Sequence, residues 1–117
     1  MILNDILKRA AMLCGTSEDY LTESYNSDIN ARGLSAINTV LYDICELPPA
    51  ESLSDGVSIS AATADAAVYG TAMFLSLAFG DTDKSSLFSE IYSAKRAACK
   101  SHTAKITDTM PKEGAAL

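Results

Sequence analysis

Apolar residues recur at three- and four-residue spacing in four stretches of the chain, which predicts four helices. In the first, Ile6, Leu7, Ala10, Ala11, Leu13 and Cys14 form one stripe. Asn4 is placed to cap its start, and Gly15 can close its end in the left-handed conformation. The second covers about 28–46, where Leu34, Ile37, Val40, Leu41, Ile44 and Cys45 share a face and Pro48-Pro49 forbids continuation. Ser60 caps a third that reaches Phe79 and stops at Gly80, spanning roughly 30 Å at about 1.5 Å per residue. The fourth starts near Asp83, which with Asp81 suits the positive end of a helix dipole. Its stripe is Leu87, Phe88, Ile91, Ala94, Ala98 and Cys99, and it ends near Ser101.

The connections differ in character. Residues 16–27 are polar, with Tyr20, Leu21 and Tyr25 as the anchors, and read as a loop with one helical turn at most. Between the second and third helices, "ESLSDGVSIS" carries an Asp55-Gly56 turn flanked by short alternating residues. Leu53 falls on one side and Val57 and Ile59 on the other, a hairpin or irregular-loop signal too short for an independent sheet. Beyond His102 the period dissolves. Pro111, Gly114 and an isolated Ile106 leave residues 103–117 as a tail with no core of its own, loose unless a partner orders it. The expected fold is all-α: a small four-helix bundle-like domain over 1–102 and a flexible tail over 103–117.

The third helix is apolar almost all round. Ala66, Tyr69, Met73 and Leu77 lie on one stripe, and Val68, Ala72, Leu75 and Phe79 on another. A helix apolar on two faces is buried on two sides. It is either the central helix of the domain or packed against a neighbouring subunit, which makes Tyr69, Met73, Leu75 and Phe79 core or subunit-interface residues.

Composition narrows the picture. A chain of 117 residues is one domain, with 48 % apolar and 21 % charged residues. Its net charge of −6, from 9 basic and 15 acidic residues, disfavours non-specific attraction to nucleic acid or anionic lipid. The basic residues cluster weakly, as Lys95, Arg96, Lys100 and Lys105. Three widely separated cysteines, Cys14, Cys45 and Cys99, fit reduced thiols acting as small hydrophobes in a reducing compartment. Asp5, Lys8 and Arg9 interrupt the apolar start where a signal peptide needs its hydrophobic run. The uncharged run between Asp65 and Asp81 is shorter than the roughly 17 residues a membrane span needs. No membrane partner is expected.

Catalytic and metal chemistry finds little support. His102 is the single histidine, in a polar helix-terminal setting without a signalled nucleophile or orienting carboxylate. In "GDTDKSSLFSEIY", Asp81, Asp83 and Ser85 alternate as in a calcium loop. Ser86 nevertheless stands where the sharp turn needs glycine, and Tyr92 where a bidentate Glu is required. The better reading is a helix–helix turn with acidic caps. No C-x-x-C pair exists, and one histidine cannot complete a zinc site. No phosphate-binding glycine loop is present. Tyr42, Tyr69 and Tyr92, at helical spacing, read as core or interface filler and not as a stacking platform for bases. The chain is expected to be no enzyme and to need no cofactor.

The order of segments carries more. The "LYDICELPP" helix end, the "SLSDG" connection, the "YGTAMFLSLAFGD" helix and the "FSEIYSAKRAA" helix, together spanning 34–97, resemble the head-tail connector (adaptor, or head-completion) proteins of tailed bacteriophages and prophages. About half the chain is covered, by helix ends and small-residue helices, with no catalytic motif. The resemblance implies a structural virion protein at the head–tail interface, made in the bacterial host cytoplasm. It implies a homo-oligomeric ring of about twelve copies under the portal protein, closed by head-to-tail contacts. The ring would extend the DNA channel, let DNA pass without specific binding and meet a tail-side stopper. By position in that family the C-terminal segment reaches toward the portal, which assigns portal binding to the tail and its apolar residues Ile106, Met110 and Leu117. An acidic conduit would repel DNA and let it slide.

A second reading is a small helical DNA-packaging accessory or regulatory protein of a prophage. It needs a basic recognition face, and the fourth helix offers Lys95, Arg96 and Lys100.

Overall fold

Among the described residues, three helices end at a residue in the left-handed conformation. The computed structural model describes residues 1–15 and 27–109, with the side chains of 1–15 and 30–100. Its elements are α1 (Leu3–Leu13), α2 (Ser27–Cys45), α3 (Ala61–Ala78) and α4 (Thr82–Thr109). Among the described residues there is no strand, so the all-α four-helix expectation holds. Gly15 closes α1 at φ +86°, and Gly80 closes α3 at φ +81°. At the latter, Gly80 N–H donates to Leu77 O and Asp81 N–H to Ser76 O, the two bonds of a Schellman ending. The polar stretch at 16–26 lies outside the described residues.

The start of α1 departs from expectation. Ile2, not Asn4, is the capping residue, and its side chain cannot accept a bond. The orphan N–H groups of Leu3 and Asn4 donate instead to the carbonyls of Asp55 and Leu53, at 3.0 and 2.8 Å. Met1 and Val57 exchange both backbone bonds, and Ile2 faces Gly56 in an isolated antiparallel bridge. The connection between α2 and α3 is therefore irregular, and it pairs with the N-terminus where a hairpin would pair with itself. Leu53, before the turn, and Val57 and Ile59, after it, all pack against the core.

Asn38 anchors the front of that connection. Its amide donates to Ala50 O at 3.0 Å and accepts Ala50 N–H at 2.9 Å, imitating a backbone pair just after Pro48-Pro49. Ser60 then caps α3 by accepting Thr63 N–H at 3.1 Å. Asp81 caps α4 by accepting Lys84 N–H at 3.0 Å, two residues before the expected start at Asp83.

The core sits where α3 meets the other helices. Leu3, Ile6, Leu7, Ala10 and Ala11 of α1 and Ile37, Val40 and Leu41 of α2 close on Ala66, Ala67, Ala72 and Leu75 of α3, with Phe88 and Tyr92 of α4 completing it. By length and composition alone α3 is apolar enough to cross a membrane, which the uncharged run did not suggest. Half of it is buried among the other three helices, as befits the central helix of a packed domain.

Helix α4 continues to Thr109 and not to Ser101 as expected. Residues 102–109 hold no Gly or Pro, and the first breaker is Pro111. The first residues of the predicted tail are thus helical backbone.

Candidate interaction surface

The two-sided character of α3 holds over its middle and fails at its end. Of the four residues assigned to core or interface, Leu75 is buried, Tyr69 and Met73 are half-buried against the core, and Phe79 is 40 % exposed. Phe79 is the C-cap, one residue past the last helical position, and so it leaves the buried stripe. Phe74 and Leu77 are also exposed, on the face of α3 opposite Leu75 and Ser76. Tyr42 of α2 and Leu87 of α4 add two more large apolar side chains in solvent.

Phe74 stands between two depressions on the seam of α2 and α3. One, about 610 Å³, is lined by Val40, Tyr42, Met73 and Phe74, with Glu46 and Lys100 among its polar residues. The other lies between Arg32 and Ser35 of α2 and Phe74 and Ala78 of α3. Together they form a shallow, aromatic-walled groove along most of α2. Exposed apolar surface of this kind marks contact with another macromolecule. Sequence periodicity left Tyr42 as core or interface filler and assigned Phe74 no role, because a period reports the stripe and not whether anything covers it.

Polar networks tie α4 to its neighbours. Arg96 holds the Asp43 carboxylate with two prongs, Nη2 to Oδ1 at 3.0 Å and Nε to Oδ2, while the Tyr92 hydroxyl donates to Oδ2 at 2.6 Å. The guanidinium, and then the Tyr92 hydroxyl, hold the Asp43 carboxyl below the usual carboxylate range. Burial, followed by the Asp43 carboxylate, pushes the Tyr92 phenol well up. Lys95 pairs with Asp65 and lies over the Tyr69 ring at 5.3 Å. Tyr92 is accordingly a packing residue with a polar handle, and Tyr69 packs by its ring, against Phe88 and under Lys95.

No nucleophile is activated among these groups. The Cys14 thiol contacts Ser76 Oγ at 3.3 Å, and burial pushes its pKa up, which suppresses the thiolate. Cys99 is half-buried, but Cys45 is exposed, contrary to the small-hydrophobe reading, because it falls on the last residue of α2 outside the buried stripe. Asp81 and Ser85 are engaged as helix cap and as donor to Met73 O, in keeping with the turn reading of the calcium-like segment. Among the described residues no group of three His, Cys, Asp or Glu could hold a metal ion.

The portal-binding assignment falls largely outside the described residues. Ile106 stands on the last part of α4 without a described side chain, His102 likewise, and Met110 and Leu117 lie beyond. Lys84 donates to Cys14 O at 3.2 Å and satisfies the end of α1, a tie between first and last helix that no sequence signal announced. No protein-family model, no curated protein and no solved structure matches this chain.

Proposed function

We propose that this chain is a structural virion protein, the head-tail connector of a tailed bacteriophage or prophage. The observation that carries an assembly role is the row of large apolar side chains left in solvent, Tyr42, Phe74, Leu77 and Phe79, on a domain otherwise well packed. The resemblance over 34–97 turns that general role into a specific one. Copies form a ring beneath the portal, extend the DNA channel and present a surface to a tail-side stopper. The net charge of −6 suits a conduit along which DNA slides.

The DNA-packaging accessory reading requires free basic side chains on α4. Lys95 and Arg96 are engaged with Asp65 and Asp43, which leaves Lys100 as the remaining candidate of the three and favours the connector.

Affinity capture of tagged chain from cells producing the encoding phage, with mass-spectrometric identification of the bound proteins, tests the proposal. Co-purification of a portal protein and a tail-completion protein is the expected result. Recovery of a terminase or a transcription regulator in their place would overturn it.

A further inference from the structure

We infer that the groove walled by Tyr42 and Phe74 is the seat of α1 from a second copy of this chain, which makes the contact between copies head-to-tail. The inference rests on the proposed assembly role and names the surfaces that would serve it.

Glu46 is the first observation. Among the described residues three helix ends take the left-handed conformation, and two of them use glycine, Gly15 and Gly80. The third is Glu46, at φ +56°, a conformation that disfavours a side chain. Strained positions of this kind concentrate where a side chain is needed for contact. Glu46 lines the groove, is exposed, and has no ion-pair partner among the described residues. A carboxylate is thus kept at the rim at a position where glycine would fit the backbone better.

The complementary surface lies on α1. Leu3, Ile6, Leu7 and Ala10 are buried, so Asp5, Arg9 and Met12 occupy the outward face. Met12 is 61 % exposed, as naked as Tyr42 at 60 %. Arg9 is exposed and, like Glu46, has no ion-pair partner among the described residues. Each element on one surface has its counterpart on the other: Met12 for the aromatic walls, Arg9 for Glu46, and Asp5 for Lys100.

The two surfaces point in opposite directions. Leu7 of α1 packs on α2 at Gly33, where an added Cβ would meet its Cδ1 at 2.6 Å. At about 100° per residue, Thr39, Tyr42 and Glu46 stand on the side of α2 turned away from Gly33. A contact between α1 of one copy and the groove of the next is therefore heterologous. Such contacts propagate, and they close into a ring when the rotation allows.

Charge reversal tests the pairing. Sedimentation of the purified chain over a range of concentrations should show reversible association, weakened about tenfold or more by Glu46→Arg or by Arg9→Glu alone. The double variant Arg9→Glu/Glu46→Arg should recover most of the wild-type association, because the pair is restored with its signs exchanged. Glu46→Gly provides a control for folding. It should melt at least as high as wild type, since glycine suits φ +56°, yet associate more weakly. A chain that stays monomeric throughout overturns the inference, as does a double variant no better than the single ones. Portal capture by that same monomeric chain would leave the connector reading standing while this contact falls.

Discussion

Gly70 of α3 lies so close to Tyr92 of α4 that a Cβ added to it would come within 2.8 Å of the ring's Cε1. The same Cβ would stand 2.9 Å from Val40 Cγ1, so at this one position α3 packs closely on both α2 and α4. Tyr92 is in turn held by Asp43 on α2. The absent side chain is what lets a short central helix pack against two neighbours at once.

Gly70→Ala is therefore destabilising although alanine is the better helix former. Overpacking a core costs about 1–3 kcal/mol, against roughly 1 kcal/mol gained in helix propensity. A net loss of about 1 kcal/mol should appear as a lower urea midpoint, and Gly70→Val should lose more. A variant more stable than wild type would contradict the close approach.

Thr71, the next residue, carries the opposite expectation. It is fully buried, and its hydroxyl oxygen has no hydrogen-bond partner among the described residues. Valine keeps the shape and removes the unsatisfied group, so Thr71→Val should raise stability by about 1 kcal/mol. Thermal melts of the two proteins side by side would check this, and a lower melting temperature would count against it.

The Asp43 cluster predicts how stability varies with pH. The Asp43 carboxyl is held below its ordinary value of 3.8, so its contribution is present above that value and is lost as pH falls through the lower, folded value. Tyr92 is shifted up from 10.0, so its contribution is present below about that pH and is lost as pH rises further. Asp43→Asn should flatten the acid limb of a stability-against-pH curve measured by denaturant titration and reduce the alkaline limb, where burial of Tyr92 still acts. Asp43 is partly exposed, so the acid-limb effect should also shrink in high salt. Identical acid and alkaline limbs in the two proteins would remove the cluster from the account.

Much of this architecture is legible in the sequence for simple reasons. Gly15, Gly80, Ser60 and the Pro48-Pro49 pair act through their own backbone chemistry, so the ends they set fall close to where they were expected. The start of α1 was misjudged because its cap is supplied by Leu53 and Asp55, some fifty residues away. The clamp of Asn38 on Ala50 and the reach of Lys84 to Cys14 are tertiary in the same sense. The apolar stripes of α3 were visible, whereas the exposure of Phe74, Leu77 and Phe79 depends on where the neighbouring helices stop covering them. The groove and its rim charges come from three helices, and no local pattern could have assembled them.

Truncation separates the folded domain from its proposed attachment to the portal. The core residues lie between Leu3 and Tyr92, so deleting everything after Thr103 should leave a cooperative helical domain. It shortens α4 at the end remote from the core and removes Ile106, Met110 and Leu117. Portal capture should be lost while the circular-dichroism melt stays within a few degrees of the full chain. Undiminished capture by the shortened protein would refute the role given to the tail.

The connector assignment is tested most directly by locating the chain in the particle. Purified virions of the encoding phage, labelled with gold-conjugated antibody against this protein and viewed by electron microscopy, should carry gold at the junction of head and tail. Tail-less heads from the same preparation would show it at the portal vertex if the ring had assembled there. Particles without label on intact or detergent-opened virions, with the protein confined to the soluble lysate, would contradict the assignment and leave a helical protein whose partners lie elsewhere.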